Sequence, residues 1–312
     1  MIYKLRRAIN IFREQGLSVV AKKALQYIPI EVNNVFYRLH HQSPTKVMDE
    51  DWDNLIILDA CRFDLFKNMC DMEGDLAHRI SRGSTSEEFL ERNFTGGEHF
   101  DTVYVNANPY VSYLDLNKNT FHAVIDLLDK WDDDLQTVPP EVVAEAAMDA
   151  HERFPNKRAI VHFMQPHTPF IGDLGREIEA AGWDPDQESG NLEGANIWQR
   201  LRNQSDSESP ELDTVWKAYE ENLEIALEHV QELLSELDGD SVITSDHGNM
   251  VGERLSPIPS KKIYGHPLGV YHPNLVKVPW FRVEGDARRT IEKEPPVREE
   301  NIDTSLTDDR LE

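Results

Sequence analysis

The sequence predicts an α/β fold built on a mostly parallel central sheet with helices on both faces. Short apolar runs, too continuous for strands with one wet face, alternate with stretches of helical period. The runs end in polar residues capable of chemistry, as the carboxyl ends of parallel strands commonly do. With 312 residues the chain is long enough for one large α/β domain or two ordinary ones.

In chain order, residues 1–42 come first, with Ile9, Ile11, Leu17, Val20, Ala24 and Leu25 near helical spacing. They hold seven Lys/Arg against two Asp/Glu, a net of +5. The stretch lacks a continuous apolar core and a small-residue cleavage site, so it reads as neither a signal peptide nor a spanning helix. A basic amphipathic helix of this kind either packs on the domain or a second subunit, or lies on an anionic membrane surface. Residues 1–48 are therefore expected to form a helical extension.

Buried strands are expected at Asn54-Leu55-Ile56-Ile57-Leu58, at 102–105, at 159–164 and at 241–244. Helices are expected over 64–73, 86–93, 120–130, 140–153 and 213–237, the last stopped by Asp238-Gly239. Residues 183–212 are polar and acidic with Trp183 and Trp198 embedded, which suits a lid-like insertion more than a core element. The catalytic domain is expected over 49–285, and 286–312 reads as an acidic, weakly ordered tail.

Composition narrows the partners. The balance of 57 acidic against 32 basic residues, a formal charge of −25, argues against nucleic acid, whose phosphates need Lys and Arg. So acidic a surface suits a protein kept soluble in concentrated salt, where self-repulsion is screened. Two cysteines, Cys61 and Cys70, make no disulfide framework and fit a reducing, cytoplasmic setting, with the inner membrane face as a possible peripheral site.

Three strand ends run into reactive residues. Leu58 is followed by Asp59-Ala60-Cys61-Arg62, Met164 by Gln165-Pro166-His167-Thr168-Pro169-Phe170, and Thr244 by Ser245-Asp246-His247-Gly248. Asp246 and His247 can meet one ion only if the chain turns as the strand ends, because neighbours on a straight strand point to opposite faces. Gly248 would permit that turn. Carboxylate oxygen with imidazole nitrogen suits a divalent metal. The stretch Gly83-Ser84-Thr85-Ser86-Glu87-Glu88 reads as a glycine turn and a helix start, which places a hydroxyl at the positive end of a helix.

These segments in this order, together with Gly265-His266, the long helix before Asp246 and Val276-Lys277-Val278-Pro279-Trp280, resemble the sulfatase-like branch of the alkaline phosphatase superfamily. The Gly-x-Thr-Ser stretch is similar to the threonine motif of phosphoglycerol transferases of the lipoteichoic acid synthase type. The resemblance implies an alkaline-phosphatase-like sheet and makes Asp59, Asp246 and His247 ligands of one divalent ion, with Mn, Zn, Mg and Ca undistinguished. It implies Thr85 as nucleophile, with Ser84 as its rival and Ser86 third. His167 would touch the substrate's anionic group or its leaving group. His266 would lie across the site as acid or second-metal ligand, and His272 could exchange roles with it. Arg62 would orient a substrate oxygen or pair with Asp64.

Two departures stand out. No Cys-x-Pro-x-Arg segment occurs at the nucleophile, and Cys61, followed by Arg62-Phe63-Asp64, reads as a small buried residue. The resemblance thus implies a metal-dependent hydrolase of sulfate or phosphate esters that works through a covalent intermediate. Its alternatives are a membrane-associated transferase moving a phospho-group onto a lipid or glycan, and a non-catalytic module. The partner implied is an anionic ester.

Overall fold

A computed structural model describes residues 17–116, 118–178, 197–203 and 212–297. Its strands in chain order are β1 (Asn54–Leu58), β2 (Asp75–Ile80), β3 (His99–Asn106), β4 (Phe121–Asp126), β5 (Arg158–Phe163), β6 (Ser241–Thr244), β7 (Met250–Glu253), β8 (Ile263–Gly265) and β9 (Lys277–Val283). Seven of them form one sheet in the order β2-β9-β6-β1-β5-β3-β4, and β7 with β8 makes a small separate hairpin. Neighbours from β6 to β4 pair in parallel, whereas β9 runs antiparallel to both β6 and β2.

The apolar runs explain why the sheet is covered on both sides. Every residue of β1 is buried, and its side chains divide by the period-two rule of a strand. Ile56 and Leu58 pack with Val161, Phe163, Leu223 and Val230 under the helices Pro140–Arg153 and Leu212–Glu236. Leu55 and Ile57 enter the opposite layer with Phe89, Phe94, Tyr104 and Trp280, beneath the helix Ser86–Phe94. The helix Leu212–Glu236 buries Val215, Tyr219, Leu223, Ala226 and Val230, spaced at three and four residues, so one stripe faces the sheet.

The expected strands and the helices over 86–93, 140–153 and 213–237 are present to within a few residues. The stretch 120–130 departs from expectation, because it holds β4 and a short 3-10 turn instead of a helix. Phe121, Val124, Ile125 and Leu128 match a helical stripe, yet Phe121, Ala123, Ile125 and Leu127 match a strand equally well. Pairing with β3 at the sheet edge decides in favour of the strand. The expected helix over 64–73 is confined to Phe63–Met69.

In the expected lid-like insertion, 183–196 and 204–211 lie outside the described residues. Residues 197–203 form a helix that is part of the core, with Ile197, Trp198 and Leu201 buried. Trp198 meets Phe170 edge to face at 6.1 Å.

Residues 286–297 of the acidic tail are tied down instead of loose. Arg288 pairs with Asp51 and Asp53, Lys157 bonds Glu294 and the carbonyl of Glu292, and Val297 N–H donates to the carbonyl of His122. With the amide of Glu294 donating to the carbonyl of Phe100, these anchors precede or begin β1, β3, β4 and β5, so the segment straps the amino-terminal edge of the sheet. The opposite edge is left for the site.

The helix Leu17–His40 docks beside β7 and β8. Asn33 exchanges two hydrogen bonds with the backbone of Ile258, at 2.7 and 2.8 Å. Asn34 bonds the carbonyl of Gly269 and the amide of Tyr271, and Tyr37 packs with Leu255, Val270 and Tyr271. Among the described residues, no helix is long and apolar enough to cross a membrane.

Candidate active site

The site forms where β1 and β6 end side by side. β1 leaves the sheet through Asp59 and Ala60, and Ala60 takes a φ of 61°. That left-handed turn costs a residue with a Cβ about 1–2 kcal/mol, and it is held from both sides. Ala60 N–H donates to Asp246 Oδ1 at 3.0 Å, while Tyr219 of the long helix donates its hydroxyl to the Ala60 carbonyl. Cys61 N–H donates to Ser245 Oγ at 2.9 Å. The two strand ends are thereby stitched together.

Gly248 is needed for a different reason from the one expected. Its φ is not in the left-handed region; a Cβ there would meet the carbonyl oxygen of Asn274 at 2.2 Å. Gly248→Ala should therefore force backbone apart beside His247 and cost about 1–3 kcal/mol, read from the midpoint of urea unfolding. An unchanged midpoint would contradict this packing.

Each carboxylate of the site has one oxygen anchored and one bare. Asp246 Oδ1 accepts from the amides of Ala60 and His247, at 3.0 and 2.7 Å. Asp59 Oδ2 accepts from Asn108 Nδ2 at 2.7 Å and from Ser86 Oγ at 3.2 Å. Asp246 Oδ2, Asp59 Oδ1 and His162 Nε2 are buried without a hydrogen-bond partner among the described residues. Asp59, His162 and Asp246 each offer a ligand atom within 4.8 Å of the others. His247 Nε2 stands 3.5 Å from both bare oxygens. Its Nδ1 lies 2.9 Å from the carbonyl of Gly248, which can only accept, so in the tautomer that donates there Nε2 turns a lone pair toward the carboxylates.

Such a donor set fits a divalent cation. Two buried carboxylates without a Lys or Arg partner are costly unless a positive charge joins them. Burial, with Asp246 nearby, pushes the Asp59 carboxyl well above the usual range. Burial acts the same way on Asp246, but His247 and His162 outweigh it and hold that group low. Burial takes His162 down to about 4, so it is a neutral imidazole at neutral pH. The expected ligands Asp59, Asp246 and His247 thus come together, and His162 joins them.

The three hydroxyls of the Ser84–Ser86 run separate cleanly. Thr85 is the N-cap of the helix Ser86–Phe94, its side chain accepting from the amide of Glu88. Ser84 is fully buried and faces away, donating to Glu88 Oε2 and accepting from the amide of Gly269. Ser86, in the first turn, lies in the cluster, its Oγ 3.2 Å from Asp59 Oδ2 and 3.3 Å from His247 Nε2. The hydroxyl that lies in the cluster is thus the one that the motif ranks third. A helix cap must spend its oxygen on the backbone, whereas the next residue can turn its oxygen inward.

His167 and His266 stand at the rim. Their ring centroids are 5.0 Å apart, and His266 is 4.5 Å from the ring of His247. Nδ1 of His167 faces the carbonyl of Thr168, and Nδ1 of His266 faces Asn249 Oδ1. Loss of hydration and the neighbouring His247 hold both rings well below the ordinary imidazole range.

Arg62 takes the pairing role expected of it, and His272 is occupied away from the cluster. Arg62 pairs with Asp64 and Glu253, donates to the carbonyl of Asn249 and lies 5.0 Å from the Trp216 ring centroid. His272 caps the short helix Pro273–Val276 by accepting from the amide of Asn274. Cys61 is buried, as expected of a small core residue.

His162 and Asn108 were not anticipated. His162 lies within the apolar run of β5 that follows Arg158, opposite Ile57, and its Nδ1 is 2.7 Å from the hydroxyl of Tyr104. A titratable side chain amid Ile160, Val161 and Phe163 was the available signal. Asn108 follows the carboxyl end of β3, and nothing in its local sequence marks it.

No family model matches the chain, and no curated protein matches it. Among solved structures it is similar to the integral membrane protein lipooligosaccharide phosphoethanolamine transferase A from Neisseria meningitidis, at 10% identity and a TM-score of 0.47 over 90% of this chain and 59% of that one. It is similar to the C-terminal periplasmic domain of the phosphoethanolamine transferase EptC from Campylobacter jejuni, at 13% identity and a TM-score of 0.44 over 75% and 78% of the two chains. A protein in the alkaline phosphatase superfamily from Vibrio parahaemolyticus gives 12% identity and a TM-score of 0.43 over 86% and 70%. The chain spans 59% of the length of the first of these. The last of these is a protein of the superfamily whose sulfatase-like branch the motifs of this chain resemble.

Proposed function

We propose that the chain is a metal-dependent enzyme acting on sulfate or phosphate esters, with Ser86 as nucleophile and a covalent intermediate. The observation that carries this reading is the contact of Ser86 Oγ with Asp59 and His247 beside two bare carboxylate oxygens. Asp59, Asp246, His247 and His162 would hold the cation. When bound, a divalent ion lowers the pKa of oxygens attached to it and polarises the ester.

Ser86 already donates its proton toward Asp59 Oδ2, and its oxygen sits in the first turn of a helix, whose dipole favours a developing anion. In the first step a bond forms from Ser86 Oγ to phosphorus or sulfur, and the bond to the leaving oxygen breaks. The Ser86 proton passes to Asp59, and the leaving oxygen departs as the anion or takes a proton from water. His167 or His266, held neutral, can accept the proton of the incoming water or hydroxyl in the second step. In the second step water or an acceptor hydroxyl attacks the seryl ester and releases Ser86. Water makes the enzyme a hydrolase; a hydroxyl makes it a transferase.

The test is turnover of aryl sulfate, aryl phosphate and bis-aryl phosphate by the chelated chain, titrated with Mn, Zn, Mg or Ca. At least one ester should be cleaved in the presence of one of these ions, and activity should vanish on renewed chelation. No turnover with any ion, together with an unchanged melting temperature on adding metal, would refute the reading and favour a non-catalytic module.

A further inference from the structure

The helix Leu17–His40 is two-faced over its described side chains. Asn33, Asn34 and Tyr37 are buried against the loops around Ile258 and Gly269. On the other side Ile28, Val32, Val35, Phe36 and Leu39 are exposed, Leu39 by 75%. At about 100° per residue these five fall within roughly a third of the helix circumference, opposite Tyr37. Six of the ten large apolar side chains found exposed among the described residues belong to this one helix.

A solvent-facing stripe of this kind needs an occupant. Charge selects which. Residues 1–42 carry +5 in a chain of −25, leaving −30 on the rest. A symmetric pairing of two copies through this helix would set one basic segment against another. A head-to-tail pairing would not close, and would bring two strongly acidic bodies together. An anionic lipid surface meets the basic segment directly, while acid farther away than a Debye length, about 8 Å at physiological salt, is screened.

We propose that the stripe Ile28, Val32, Val35, Phe36 and Leu39 seats at the headgroup boundary of an anionic bilayer, to which the net charge of +5 on residues 1–42 draws it. The helix lies on the surface and does not span it. Its buried face grips the segment that carries His266, and the amide of Gly269 in that segment bonds Ser84. The site is thereby held at a fixed place relative to the lipid plane. The membrane contact itself does not depend on what chemistry the site performs.

The test is flotation of the full chain with phosphatidylcholine vesicles, with and without phosphatidylglycerol, at moderate ionic strength. The chain should partition at least about tenfold more into the anionic vesicles, since several basic residues act together. The double variant Val35→Asp, Leu39→Asp should lose about tenfold or more of that partitioning with an unchanged melting temperature, as both side chains face solvent. As a second readout, Leu39→Cys on a Cys70→Ser background, labelled with an environment-sensitive fluorophore, should shift to the blue with anionic vesicles. Wild-type chain that stays with the aqueous fraction would overturn the proposal. So would a fluorophore that remains in water, or a concentration-dependent dimer, without vesicle binding, that the double variant disperses.

Discussion

Ser86→Ala is expected to lower turnover by on the order of 10³-fold or more while leaving the fold intact, because it removes the one hydroxyl of the Ser84–Ser86 run that reaches the carboxylate cluster. The two neighbouring substitutions should behave differently. Thr85→Ala removes a helix cap, which costs about 1 kcal/mol of stability, and most of the turnover should survive. Ser84→Ala strips partners from Glu88 and from the amide of Gly269, so its effect should appear in denaturation at about 1–3 kcal/mol. Steady-state rates and urea midpoints on the three variants separate these roles. A Thr85→Ala enzyme as dead as Ser86→Ala, with its fold intact, would return the nucleophile to the residue that the motif favours.

The second large effect concerns the carboxylates. Asp59 and Asp246 are buried with a bare oxygen each and, among the described residues, no Lys or Arg partner, so in the metal-free chain their burial side by side opposes folding. Asp59→Asn should therefore melt above wild type when both are metal-free. Adding the active ion should reverse the order. Wild type gains about 2.7 kcal/mol when the ion is at roughly 100 times its Kd, a rise of several degrees, and Asp59→Asn should gain little of it. Scanning calorimetry with and without chelator reads both signs in one experiment. A metal-free Asp59→Asn that melts well below wild type, or that keeps the full response to metal, would contradict the assignment of Asp59 as a ligand.

Much of this arrangement was legible in the residues, for physical reasons that also mark its limits. The runs of β1, β5 and β6 are buried on both faces, so they read as strands without help from tertiary context, and their polar ends marked Asp59, His167, Asp246 and His247. β4 was ambiguous because its apolar residues satisfy two periods at once. β9 was obscured by Pro279, which the sheet tolerates because that residue lies just beyond the last β6–β9 pair, Thr244 with Trp280. The choice among three adjacent hydroxyls depends on which residue becomes the cap, a matter of one residue in helix phase. His162 was hidden for a related reason: its role depends on a neighbour strand placing it beside Asp246, 4.0 Å away, and sequence distance gives no hint of that. Arg62 was open to two readings, a substrate contact or a partner of Asp64, and the Asp64 pair is the one present, with Glu253 added from the β7 hairpin.

The central claim, that Ser86 is the atom on which a phosphoryl or sulfuryl group rests, is tested most directly by trapping that group. Metal-loaded chain would be mixed with an aryl phosphate or sulfate that it cleaves, quenched in acid during turnover, digested and fragmented in the mass spectrometer. The account predicts the mass of one such group on the peptide around Gly83, with fragment ions placing it on Ser86 and none in Ser86→Ala. The same mass on Thr85 or Ser84, or steady turnover with no modified peptide, would contradict it.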